Sequence, residues 1–124
     1  MRQQLVFEIQ AGLCRGMGNP LRMEILDLLR DRQLSVGELV SSTHRPQSMI
    51  SQNLAALRNV GLLVAQREGN KILYRIASPK LVRICDLMRE MLTEQINEKS
   101  RLTGCEASSL NYENEPEQCD VLRT

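Results

Sequence analysis

The chain has 124 residues and a formal net charge of +1, with 42% hydrophobic but only 2% aromatic residues. That length suits one domain with a modest core of Leu, Ile, Val and Met, a composition that favours helices over a β-sandwich. No apolar run approaches the roughly 20 residues of a membrane span, and the start MRQQLVFEIQAGLC is too polar for a secretory signal, so the expectation is a cytoplasmic protein with no membrane partner.

Val6, Ile9, Leu13 and Met17 recur at helical spacing, which predicts a first helix from Gln3 to Met17, stopped by Gly18, Asn19 and Pro20. A second helix starts at Pro20 and buries Leu21, Ile25, Leu28 and Leu29. Ser35 to Glu38, SVGE, is a capping box, so a short third helix carries Val36, Leu39 and Val40. Pro46 then takes the first helical position of a fourth helix, whose buried stripe is Ile50, Leu54 and Leu57. Its outward side carries Gln47, Ser48, Ser51, Gln52 and Asn53, uncharged hydrogen-bonding groups that suit a surface dried against donors and acceptors of a partner. Gly61 ends the helix. LLVAQREGNKILYRI then alternates on either side of Gly69-Asn70 as a hairpin does. A last helix restarts at Ser78-Pro79 and runs to about Lys99 with a broad apolar face of Leu81, Ile84, Cys85, Met88, Met91, Leu92 and Ile96. The folded domain is read as residues 1–104 and the remainder, 105–124, as an acidic, disordered tail.

Charge is unevenly placed along this order. From Ser41 to Arg83 there are seven basic residues and one acid, Glu68, a balance of +6; from Cys105 onward five acids face Arg123, a balance of −4. Two short helices joined by a tight turn, then a basic hairpin, describe a winged helix-turn-helix in a mainly α chain. In that arrangement the second helix of the pair enters the major groove of double-stranded DNA. Its amide and hydroxyl side chains reach base edges there, Gln and Asn pairing bidentately with adenine. The candidate DNA-binding residues are therefore Arg45, Gln47, Ser48, Met49, Ser51 and Gln52 on the helix and its approach, with Arg67, Asn70 and Lys71 around the wing tip.

NPLRMEILDLL, SVGEL, SQNLAALRNVGLL and REGNKILYRI, in this order and spacing, resemble the ArsR/SmtB family of transcriptional regulators over roughly Leu13 to Glu94. The resemblance implies a homodimer formed by the first and last helices, reading an inverted repeat and repressing a nearby operon until an inducer releases it. The metal sites such regulators use are largely absent. Where an ELCxC motif would place two thiols, ELVSS places Val40 and Ser42, and a two-histidine zinc site on the last helix is excluded because His44 is the only histidine. Four cysteines remain without a C-x-x-C pair, Cys14, Cys85, Cys105 and Cys119. Cys14 and Cys85 fall on the two helices expected at the dimer interface. One reading makes them inert core thiols. The other makes Cys14 and Cys85, with Cys105 from the tail, a thiol switch operated by oxidation, persulfide bridging or a soft metal or metalloid ion. No cofactor is required for folding on either reading.

An enzyme has little support, since the chain carries no nucleophile motif, Gly-rich phosphate loop or paired carboxylates. Two further readings stay open. One is a winged helix used for protein contacts, the other a constitutive DNA-binding dimer with no small inducer.

Overall fold

The computed structural model describes residues 2–103, and the acidic segment 105–124 lies outside the described residues. The elements run α1 (Gln3–Met17), α2 (Pro20–Leu28), β1 (Leu34–Ser35), α3 (Val36–Thr43), α4 (Gln47–Asn59), β2 (Leu63–Glu68), β3 (Lys71–Ile76) and α5 (Pro79–Thr103). They fall into two compact units, one reaching Val82 and one beginning at Arg83. This is a winged helix-turn-helix, mainly α with a β-hairpin wing.

The helix boundaries follow local chemistry. Asn19 caps α2, its side-chain oxygen accepting from the backbone N–H of Leu21 at 2.9 Å and of Arg22 at 3.2 Å, with Pro20 at the next position. The Ser35–Glu38 capping box is closed in both directions: Glu38 N–H donates to Ser35 Oγ at 3.2 Å and Ser35 N–H to Glu38 Oε1 at 2.9 Å. At the end of α4, Gly61 takes φ +82 while its N–H bonds Arg58 O and that of Leu62 bonds Leu57 O. That pairing is a Schellman motif, and the buried Leu57 and Leu62 supply the apolar contact that accompanies it.

Ile25, Leu29, Leu39, Ile50, Leu54 and Leu57 are the side chains most fully removed from water, so α2, α3 and α4 share one core. On α2 the buried set differs from the expected one: Leu26 is buried and Leu28 only half so. The helix is short and turns its stripe through Ile25, Leu26 and Leu29, which leaves Leu28 at the edge.

β1 is a strand that sequence periodicity does not reveal. Leu34 and Ser35 pair antiparallel with Tyr74 and Leu73, making a three-stranded sheet in the order β1-β3-β2. Ser35 is both the end of this strand and the N-cap of α3. Its φ −85 and ψ 168 allow this, because an N-cap residue already has extended dihedrals.

Candidate nucleic-acid interface

The turn between α3 and α4 is built by three residues. Thr43 is buried and its hydroxyl donates to Leu39 O at 2.8 Å while accepting from Arg45 N–H at 3.3 Å. His44 takes a left-handed conformation, φ 58 and ψ 31, closing α3 with its N–H on Val40 O. Pro46 is the N-cap of α4, at φ −58 and ψ 146, and not its first helical residue. The reason is its extended ψ. Pro46 O accepts from Met49 and Ile50, and no side chain caps the helix. The N–H groups of Gln47 and Ser48 are left pointing out of the helix end, with no acceptor among the described residues.

Ile50, Leu54 and Leu57 face the core, and Gln47, Ser48, Met49, Ser51 and Gln52 are all exposed, as is Arg45 before them. Asn53 departs from the expected outward face. It is half-buried, its Oδ1 accepting from Arg22 Nε at 2.8 Å and its Nδ2 donating to Met49 O at 2.8 Å, so it works inside the protein. Sequence reasoning missed both Arg22 and Thr43 as site-forming residues. A signal existed for each: Arg22 stands on the stripe that continues through Ile25, Leu26 and Leu29, and Thr43 lies one turn beyond the buried Leu39. A polar group on an apolar stripe asks for a partner.

In the wing, Glu68 lies opposite Lys71 and Arg67 opposite Ile72, with Gly69 at φ +66 opening the two-residue turn. Directly opposed residues share a face of a hairpin, so Arg67 and Lys71 leave it on opposite faces. Both can meet one partner only when the tip, with the exposed Asn70, stands between two walls, as in a groove. Lys71 and Arg32 also lie close enough to act on the exposed Glu38. The carboxyl is held below the ordinary glutamate range, first by the Ser35 N–H, then by the Ser35 hydroxyl, with these two cations adding to the effect.

Cys14 is exposed on α1 in the first unit and Cys85 is half-buried on α5 in the second; Cys105 lies outside the described residues. Among the described residues no group of three or more His, Cys, Asp or Glu side chains is placed to hold a metal ion. Nor is any described helix long and apolar enough to cross a membrane.

The profile of the family described as "Bacterial regulatory protein, arsR family" matches residues 19–64. The HTH-type transcriptional regulator Rv0081 of Mycobacterium tuberculosis is 33% identical over 100 residues, spanning 80% of this chain and 88% of the relative. The chain belongs to the ArsR family. Its members are DNA-binding transcriptional regulators and not enzymes, so an ArsR fold has a surface to explain and no catalytic step. The crystal structure of Rv0081 superposes with a TM-score of 0.70, covering 75% of this chain and 94% of that one. The homodimeric winged helix-turn-helix DNA-binding domain of Mb0332 from Mycobacterium bovis, solved by NMR, superposes at 0.73 with 30% identity, covering 78% and 90%. The transcriptional repressor SmtB of Mycobacterium tuberculosis is 35% identical over 79 residues, 64% of this chain and 58% of the relative. The matched family segment runs from the Asn19 cap through the helix-turn-helix to the first residues of β2.

Proposed function

We propose that this ArsR protein is a homodimeric, sequence-specific transcriptional repressor of the cytoplasm, which reads an inverted repeat in double-stranded DNA and is released by a thiol-directed signal. One observation carries the DNA reading: all nine candidate contact residues are exposed, six along the approach and outer side of α4 and three at the wing tip. Gln47 and Gln52 supply amide pairs for base edges, Ser48 and Ser51 hydroxyls, and Met49 an apolar contact for a thymine methyl. The uncapped N–H groups at the start of α4 suit a phosphate, which the helix dipole also favours. The wing completes the grip through Arg67, Asn70 and Lys71.

A second copy of the chain is the partner that the exposed apolar residues call for. Leu5, Val6, Phe7 and Ile9 on α1, and Ile84, Leu87, Met88 and Met91 on α5, are exposed in the single chain. Large apolar exposure of this kind marks an association surface, and a two-fold dimer presents two reading helices to half-sites about 34–36 Å apart. The thiol signal rests on Cys14 and Cys85 occupying these same two helices, where oxidation or a soft ion would alter the spacing of the half-site readers. Coupling is reciprocal, so DNA-bound protein would take up the signal less readily than free protein.

The test is a titration of the DNA upstream of the protein's own gene with reduced protein, at several salt concentrations, repeated after mild oxidation and after adding Cd(II). The expected result is tight binding, a log–log salt slope of about 0.9 per phosphate contact, and release by one of the two treatments. Cys85→Ser is expected to bind DNA as the wild type does and to ignore the treatment. Binding that is tight but indifferent to both treatments would return the cysteines to a structural role and leave a constitutive DNA-binding dimer. Weak, salt-insensitive binding would move the winged helix to protein contacts.

A further inference from the structure

Three hydrogen bonds form an unbroken relay from the end of α1 to the recognition helix. Arg22 Nη1 donates to Gly16 O at 3.3 Å, Arg22 Nε donates to Asn53 Oδ1 at 2.8 Å, and Asn53 Nδ2 donates to Met49 O at 2.8 Å. The central bond joins α2 to α4, Arg22 and Asn53 being 31 residues apart. The orientation of the Asn53 amide is fixed by its neighbours, because reversing it would set a donor against the guanidinium and an acceptor against a carbonyl. Arg22 is itself held in place, its backbone N–H capped by Asn19. Packing reinforces the polar link. Gly16 is buried, and a Cβ there would stand 2.8 Å from Val60 Cγ2, so α1 meets the residue that ends α4 at a distance only glycine allows.

We infer that Arg22 is a positioning residue, which with Asn53 sets the recognition helix against the end of α1 and transmits a displacement of α1 to Ser48, Met49 and Gln52. This rests on the proposed reading of DNA by α4 and adds to it the element that holds the helix in register. Arginine is required because its planar fork presents Nε–H and Nη1–H to two acceptors at once, which a lysine ammonium on a flexible stem does not reproduce. A movement of α1 that withdraws the Gly16 carbonyl would leave the fork half-satisfied and let the first two turns of α4 shift about the buried Leu54 and Leu57.

The experiment uses the full chain and the variants Arg22→Lys, Asn53→Ala and the double variant. Affinity is measured for a duplex from upstream of the protein's gene and for a scrambled duplex of equal length, alongside amide hydrogen exchange at Ile50 to Asn53. Each single variant is expected to lower the ratio of the two affinities at least tenfold, to keep scrambled-duplex affinity within twofold, and to speed exchange at those amides at least fivefold. The double variant is expected to fall no further than either single one, because one relay is broken in all three. Losses that multiply in the double variant, or a ratio that Arg22→Lys leaves intact, would overturn the inference. Should the wild type itself fail to discriminate the two duplexes, the DNA reading falls alone, and exchange decides the linkage: unchanged exchange in Arg22→Lys overturns it, and local acceleration supports it.

Discussion

At single residues, the question is which of two opposed effects is larger. Gly16→Ala gains about 1 kcal/mol of helix propensity, but its Cβ would meet Val60 Cγ2 at 2.8 Å, and overpacking costs about 1–3 kcal/mol. A net loss of about 1 kcal/mol is expected in chemical unfolding, and the sign should reverse in a Val60→Ala background, where the obstructing methyl is gone. On the proposed reading, the exposed residues of α4 answer to binding and not to stability. Gln52→Ala should lose about 1–3 kcal/mol of discrimination at one base step of each half-site, whereas Lys71→Ala should weaken all sequences alike and flatten the salt dependence. A competition assay with single-base variants of the site separates the two; unchanged base preference in Gln52→Ala would remove that side chain from base reading. Gln47, Ser48, Ser51 and Gln52 were legible in the sequence because they oppose an apolar stripe. Asn53 was not, since its partner Arg22 lies on another helix and only the fold brings the two together.

Elements show a different mixture of legible and hidden. Helix ends were readable where a side chain makes the cap, as at Asn19 and at Ser35 with Glu38, and where a glycine takes the left-handed turn, as at Gly61. β1 was not readable: two residues carry no period, and Ser35 already had a role as a helix cap. That double duty ties the wing to the helix-turn-helix, since one residue ends the strand paired with β3 and starts α3. It also gives a pH dependence. The Glu38 carboxyl has a folded value below its unfolded one, so its stabilising contribution is present above the unfolded value and is lost as pH falls through the folded value. Glu38→Gln keeps an acceptor for Ser35 N–H but no charge. Its unfolding free energy should therefore change less between neutral and acid pH than that of the wild type, and parallel curves would show that the carboxylate contributes nothing to this end of α3.

For the whole molecule, the sequence showed an apolar stripe on the first helix and a broad apolar face on the last but could not say what covers them. In the single chain much of both faces is exposed, Phe7 at 54% and Leu87 at 63%. Phe7→Glu combined with Leu87→Glu should convert a dimer to a monomer in sedimentation equilibrium and lower operator affinity at least 100-fold, because two half-site contacts become one. A dimer that persists would place the interface elsewhere. The uncapped start of α4 has a consequence for stability as well as for binding. Pro46→Asp would add the missing cap and stabilise the free protein by about 0.5–2 kcal/mol, less about 0.4–1 kcal/mol for the freedom that proline denies the unfolded chain. The same carboxylate would occupy the N–H group of Ser48 and repel a phosphate. The variant should therefore melt later and bind DNA more weakly. On the proposed reading, Pro46 therefore trades stability of the free protein for a helix start that the operator completes.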